Sequence, residues 1–332
     1  MPSTYSKGIV YCLVAAMSWG ISFPLMSEAL LRVDPFNFTA MRYSAAAAIF
    51  VLILVGMEGA AALNLRGERY LLAWLLGSAG FCGYGFFIFH GQHLAGKSGA
   101  LSASVMIATT PMLTLIVNWA IRGIRPAAVS FGCIFISFVG VLLVISKGNL
   151  SALLEQGITF ESTIFLFLGT ISWALYTVGA SFFPSWSGYR YTAITTVLGL
   201  ITIHAANLAL QAFSITARPS LDSVISVLPY LGYMVLIAGV LAVLCWNLGN
   251  KIITPTNGVL FLDMVPLTAF AIAAAAGTPI EQGQLVGAVL VGMSLIANNL
   301  YQRRLLISAA TFPGLLSRES PQPNEGSIEP VR

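Results

Sequence analysis

The sequence predicts an all-α integral membrane protein, with ten transmembrane helices arranged as two inverted five-helix repeats. Three observations carry that expectation. Charge is scarce, apolar runs of membrane-spanning length recur, and landmarks of the first half return about 155 residues later.

Of the 332 residues, 57% are hydrophobic and 8% charged, and the mean hydropathy is +0.86. A soluble domain covers itself with about 25% charged residues. Sixteen Lys and Arg plus twelve Asp and Glu are too few to wet a chain of this size, so the missing solvent is lipid. This excludes a cytosolic enzyme, a nucleic-acid binder and a disordered chain. The net charge of +4 fits a surplus of Lys and Arg in cytoplasmic loops. Cys12, Cys82, Cys133 and Cys245 all fall in apolar stretches without metal-ligand spacing. They read as small buried hydrophobes, so no disulfide framework, metal site or cofactor is expected.

A helix needs about 20 apolar residues to cross the hydrocarbon. Ten runs qualify: 8–30, 36–57, 71–92, 98–120, 127–146, 163–183, 191–213, 228–250, 256–277 and 283–302. Asp34-Pro35 opens the second run, Arg125-Pro126 the fifth, and Arg218-Pro219 separates the seventh from the eighth. The first run contains Trp19, Gly20 and Pro24 and lacks a small-x-small cleavage site, so it reads as a retained helix and not a signal peptide. With the N-terminus inside, loop Lys and Arg number nine inside against five outside. That bias places both termini in the cytoplasm. Residues 1–147 form the first repeat, 148–162 a linker and 163–305 the second repeat. Residues 306–332, with four prolines among Ser and Glu, read as a disordered cytoplasmic tail.

The repeat rests on matched landmarks. Ser18-Trp19 returns as Ser172-Trp173, Pro111 as Pro266, and Gly132 as Gly287. Five helices per half is an odd number, so the second half enters from the opposite face. Two such halves can exchange shapes around a cavity near the midplane.

Residues Ala16 to Phe23 resemble the opening of EamA-type domains in the drug/metabolite transporter (DMT) superfamily. The passage from Ser98 to Val105 followed by Thr109, Thr110 and Pro111, and the glycine-spaced stretch from Gly132 to Val144, resemble the same domain. The match covers about residues 8–303, both repeats. Within the superfamily the chain most closely resembles the YddG-type bacterial exporters of aromatic and other amino acids. That resemblance implies a secondary transporter in the bacterial inner membrane, exporting aromatic and other neutral amino acids by alternating access. An exporter of drugs or other metabolites shares the fold and is the alternative. A membrane enzyme has little support: three histidines and no metal motif do not cluster catalytic groups.

Candidate site residues follow from what lies inside the spans. Trp19 and Trp173 are repeat mates half-way along their helices. With Tyr84, Phe87, Tyr176 and Trp246 they form an aromatic pocket wall, or else an interfacial belt. His90 and Asn247 are candidate polar contacts for substrate, with His90 equally suited to packing. Asp263, an intramembrane acid, either titrates during transport, holds a substrate ammonium or fixes packing. Pro111 and Pro266 are hinges or static kinks, and each frees a carbonyl, Ile107 and Leu262. Glu28 and Arg42 read as a pair near the outer ends of the first two helices. Glycines of the third and tenth helices let neighbours approach. The expected partners are a small-molecule substrate and the lipid bilayer, with no nucleic acid. The chain acts as a monomer or weak homodimer.

Overall fold

The computed structural model describes residues 2–96, 99–123, 125–146, 148–149, 160–275 and 281–311. Among these residues the regular structure is helical throughout. Helix α1 is Pro2–Ala29 and α2 is Pro35–Glu58. α3 runs over Tyr70–Leu94. α4 comprises Gly99–Ala108 and Thr110–Arg122, α5 is Ala128–Ile145, α6 is Phe160–Gly179 and α7 is Gly188–Ala212. α8 spans Leu221–Ile253. α9 is assembled from Pro255–Gly258, a 3₁₀ turn Val259–Asp263 and Met264–Ala275, and α10 is Gln282–Thr311.

Local chemistry sets several of these ends. The Asp34 carboxylate accepts from the backbone N–H of Phe36 and Asn37, both at 3.0 Å, and Pro35 occupies the first turn. Ser187 and Ser220 cap α7 and α8 in the same way. The Ser220 cap starts α8 seven residues ahead of the expected apolar run, with Pro229 inside the helix. Gly123, at φ 67°, ends α4 in the left-handed conformation that a side chain disfavours. α10 continues to Thr311, and the remainder of the expected tail lies outside the described residues, as does most of the linker.

Among the described residues, seven helices are long and apolar enough to cross a membrane, eight if the two parts of α4, bent by 42°, are one span. The other two expected spans differ for identifiable reasons. α5 has 18 residues, about 27 Å at 1.5 Å per residue, and α9 is interrupted by its 3₁₀ turn. Outward side chains such as Leu52, Leu71, Ile201, Leu208, Leu228, Val289 and Ile296 are exposed. On a soluble protein this belt would drive aggregation; here it meets lipid.

The main packing runs between the first five helices and the last five. α1 lies along α8 and α9, while α6 lies along α3 and α4. α2 pairs with α7, and α5 with α10. Exchanging each helix for the one five places away turns this set of contacts into itself. Glycines permit the closest crossings. A Cβ on Gly77 would sit 2.0 Å from the Thr195 carbonyl oxygen, and one on Gly287 would sit 2.4 Å from that of Gly140. The glycine face of α10 is therefore occupied by α5 of the same chain.

Candidate functional site

Four helix irregularities frame the middle of the bundle. α3 widens into a π-helical turn at Ser78–Gly83 and α8 does so at Leu236–Leu241. α4 breaks at Thr109, and α9 changes from 3₁₀ to α at Met264. Residues 109 and 264 are related by the same offset of 155 as Pro111 and Pro266. Single π turns and breaks leave carbonyls without their usual i+4 partner, and they recur at functional sites. Ile107 and Leu262, the residues whose carbonyls the two prolines are expected to free, both line the central cavity, although the Leu262 carbonyl accepts from the Met264 backbone N–H.

That cavity is walled by Trp19 and Phe23 of α1, Arg42 and Tyr43 of α2, Tyr84 of α3, Trp173 of α6 and Val243 of α8, together with Ile107, Leu262 and Val265. Trp19 and Trp173 meet edge to face at 5.3 Å and Trp19 and Trp246 at 5.4 Å, while Tyr84 tilts against Trp173 at 5.1 Å. Such pairs add about 0.5–1.5 kcal/mol each beyond burial. The cavity measures about 10 Å³, the room of one water. In this conformation the aromatic walls rest on one another.

Polar groups hold the wall in place. The Trp19 indole N–H donates to the Ala238 carbonyl in the α8 π turn at 2.9 Å. Trp246 donates to Thr177 Oγ1 at 3.1 Å. Asn247 donates to the Tyr176 hydroxyl at 2.7 Å and to Thr192 Oγ1 at 2.8 Å, and the Tyr191 hydroxyl donates to the Tyr176 carbonyl at 2.7 Å. Tyr176 stacks on Tyr191 and fills the space over Gly80, where a Cβ would lie 2.4 Å from its ring.

Below this wall, on the face that carries the α1 N-terminus, a vestibule of about 340 Å³ opens between α4, α6, α7 and α8. Asn247 and Tyr191 form part of its lining, as do Arg122 and Lys251 at the rim. Thr254, at φ 73°, turns the chain from α8 into α9 at the vestibule edge. The opposite face is tied shut. Gln92 Nε2 donates to the Phe23 carbonyl at 3.0 Å and to Ser27 Oγ at 2.8 Å. Asn37 joins Asp34, the Ala217 carbonyl, Asn207 and Gln211.

The structure thus gathers Trp19, Tyr84, Trp173, Tyr176, Trp246 and Asn247 at or directly behind one wall. Phe87 and His90 lie elsewhere: both face Phe165 of α6, at 6.1 and 4.7 Å, and His90 also meets Phe36 at 5.1 Å. Tyr84 and Phe87 are three residues apart, about 60° around a helix, and only Tyr84 reaches the cavity lining. Asp263 is buried in α9, where its carboxylate accepts from Ser137 Oγ of α5 at 2.5 Å. It faces α5 and is not among the cavity lining.

Arg42 departs most from expectation. It forms no outer ion pair: Glu28 is exposed, and the ion pair among the described residues is Arg190–Glu68. Arg42 is 2% exposed. Its Nε donates to the Met234 carbonyl at 3.0 Å and its Nη2 to the Ala238 carbonyl at 3.4 Å, both at the α8 π turn. The guanidinium also lies over the rings of Tyr43 and Phe89 at 4.8 and 5.6 Å. A sequence signal existed. Arg42 is seven residues into α2, about 10 Å from its start, deep enough that reaching the interface is harder than facing the interior.

A bundle with an apolar outer belt, broken helices at its centre and a vestibule reaching an aromatic wall defines a multi-pass membrane transporter. Comparison with known proteins agrees. The chain belongs to the EamA-like transporter family, whose model matches residues 6–146 and again residues 162–300. It is 36% identical over 297 residues to the uncharacterized transporter YrdR of Bacillus subtilis (strain 168), covering 90% of this chain and 92% of the relative. It is 31% identical over 281 residues to YyaM of the same organism, also an uncharacterized transporter, covering 83% and 88%. A solved crystal structure superposes with a TM-score of 0.69 over 90% of this chain and 99% of its own, at 17% identity, a likeness of fold.

Proposed function

We propose that this protein is a secondary transporter that exports amino acids, aromatic and other neutral ones, across the bacterial inner membrane. Ten helices in two inverted repeats of five, residues 1–147 and 163–305, alternate access to the central cavity, with both termini in the cytoplasm. The exchange symmetry of the helix contacts carries this reading. α6 sits on α3 and α4 as α1 sits on α8 and α9, while α2·α7 and α5·α10 map onto themselves. A pseudo-two-fold of that kind gives two conformations of similar energy that differ in which face is open. The double match of the family model supports it.

The cavity wall supports the cargo class. Trp19, Trp173 and Tyr84 offer flat apolar faces suited to an aromatic or long side chain, and Asn247 lies where the vestibule meets them. No Gly-rich phosphate loop is present in the sequence, so the gradient of the substrate or of an ion drives the cycle. The test is uptake of labelled phenylalanine, tryptophan, threonine and methionine into proteoliposomes of the purified chain, beside a lipophilic cation. Saturable flux of the amino acids is the expected result. Flux of the cation alone would assign the fold to drug export.

A further inference from the structure

We propose that Arg42 is a carboxylate anchor, so that the substrate of the central cavity is an organic acid or zwitterion whose carboxylate docks on this guanidinium beside Trp19, Trp173 and Tyr84. The inference rests on the transport reading above and adds charge to what was a matter of shape.

A guanidinium is a charged group in proteins, with a planar fork of five donors. Among the described residues no carboxylate lies within 4.0 Å of it. Asp263, a buried carboxylate of α9, is tied to Ser137 and absent from the cavity lining. The two carbonyls that Arg42 binds, Met234 and Ala238, supply dipoles but no neutralising charge. A lone buried cation is costly unless something pairs with it during function.

Geometry shows where the partner goes. Nε and Nη2 are directed at the α8 π turn, Tyr43 packs against the guanidinium, and Nη1 makes no hydrogen bond to a described residue. Arg42 is at the same time a wall of the cavity. The planar fork of guanidinium donors matches the two oxygens of a carboxylate. A cation entering the cavity would meet like charge, and a neutral apolar solute would gain nothing from Arg42. For an α-amino acid, the ammonium can rest on the indole faces while the carboxylate takes the guanidinium.

The anchor is tested by counterflow of labelled L-phenylalanine into proteoliposomes, with phenylacetate, L-phenylalaninamide, phenethylamine and sodium phosphate as competitors. Phenylacetate should compete, and L-phenylalaninamide and phenethylamine, which lack the carboxylate, should be weaker by about tenfold or more, as expected for loss of a charge-assisted bond. Arg42→Gln should erase that discrimination, and Arg42→Lys should retain part of it. Should Arg42→Gln fail to fold, the wild-type competitor series and Arg42→Lys decide. Equal competition by phenethylamine and phenylalanine in the wild type, unchanged preference in Arg42→Gln, or competition by phosphate as strong as by phenylacetate would each overturn the anchor while leaving transport intact. Absence of counterflow with labelled phenylalanine and with labelled phenylacetate alike would remove the transport reading itself, and the anchor with it.

Discussion

The indole of Trp19 stands at 88° to that of Trp173 with ring centroids 5.3 Å apart, and each residue belongs to a different stretch matched by the family model. The contact therefore joins the two halves of the chain at the cavity. Motion of one half against the other must open or slide this pair.

The first prediction follows from that contact. Trp173→Ala removes the ring that touches Trp19, Tyr84, Tyr176 and Trp246. Truncating a buried Trp costs about 3–5 kcal/mol in a packed interior, so the melting temperature in detergent should fall. Flux of phenylalanine and tryptophan should drop more than flux of threonine, because the larger side chains use the lost face. Equal losses across all substrates in proteoliposomes would remove Trp173 from the pocket.

The glycines of α3 give a second, independent prediction. Gly77→Ala drives a Cβ against the rigid Thr195 carbonyl oxygen at 2.0 Å, so α3 and α7 must part. Overpacking of this kind costs about 1–3 kcal/mol. Gly232, in α8, has nothing within 4 Å of its would-be Cβ. Gly232→Ala should be neutral or stabilising by up to about 1 kcal/mol, since alanine is the better helix former. Thermal unfolding of the two variants side by side checks the contrast.

Asp263 carries a third. Asn replaces the carboxylate at nearly the same volume and can still accept from Ser137 Oγ. Asp263→Asn should therefore fold and pack with little loss of stability. If the acid takes part in coupling, its removal flattens the dependence of flux on external pH. The check is the flux profile across external pH values on both sides of neutrality. An unaltered profile would leave Asp263 a packing residue of the α5–α9 contact.

Much of this arrangement is legible in the sequence, and the limits have physical causes. The scarcity of charge and the lengths of the apolar runs place the helices. The offset of 155 locates the breaks at Thr109 and Met264 through their prolines, because a proline leaves a mark in composition as well as in structure. The π turns of α3 and α8 carry no such mark, and they decide which carbonyls become free. Arg42 reads as a loop-end charge in one dimension; its burial depends on Met234 and Ala238, 192 and 196 residues away. Phe87 and His90 look like pocket residues by composition, yet rotation around α3 turns them to Phe165.

The last prediction concerns which face is open. Ser181 lines the vestibule on the α1 N-terminal side, whereas Ser27 lies under Gln92 on the closed side, held at 2.8 Å. In a background with the four native cysteines replaced by serine, Ser181→Cys should react quickly with a membrane-impermeant maleimide applied to that face in inside-out vesicles. Ser27→Cys should react slowly from the other. With the Ser27 hydroxyl already replaced, Gln92→Ala removes the remaining hydrogen bond from α3 to the Phe23 carbonyl of α1, worth about 0.5–1.5 kcal/mol. A shift of that size between two states of similar energy changes their ratio about two- to tenfold. Labelling of Ser27→Cys should accordingly accelerate, and labelling of Ser181→Cys slow, in the Gln92→Ala background. Reciprocal change at the two positions is the signature of alternating access; acceleration at both would indicate that the bundle has simply loosened.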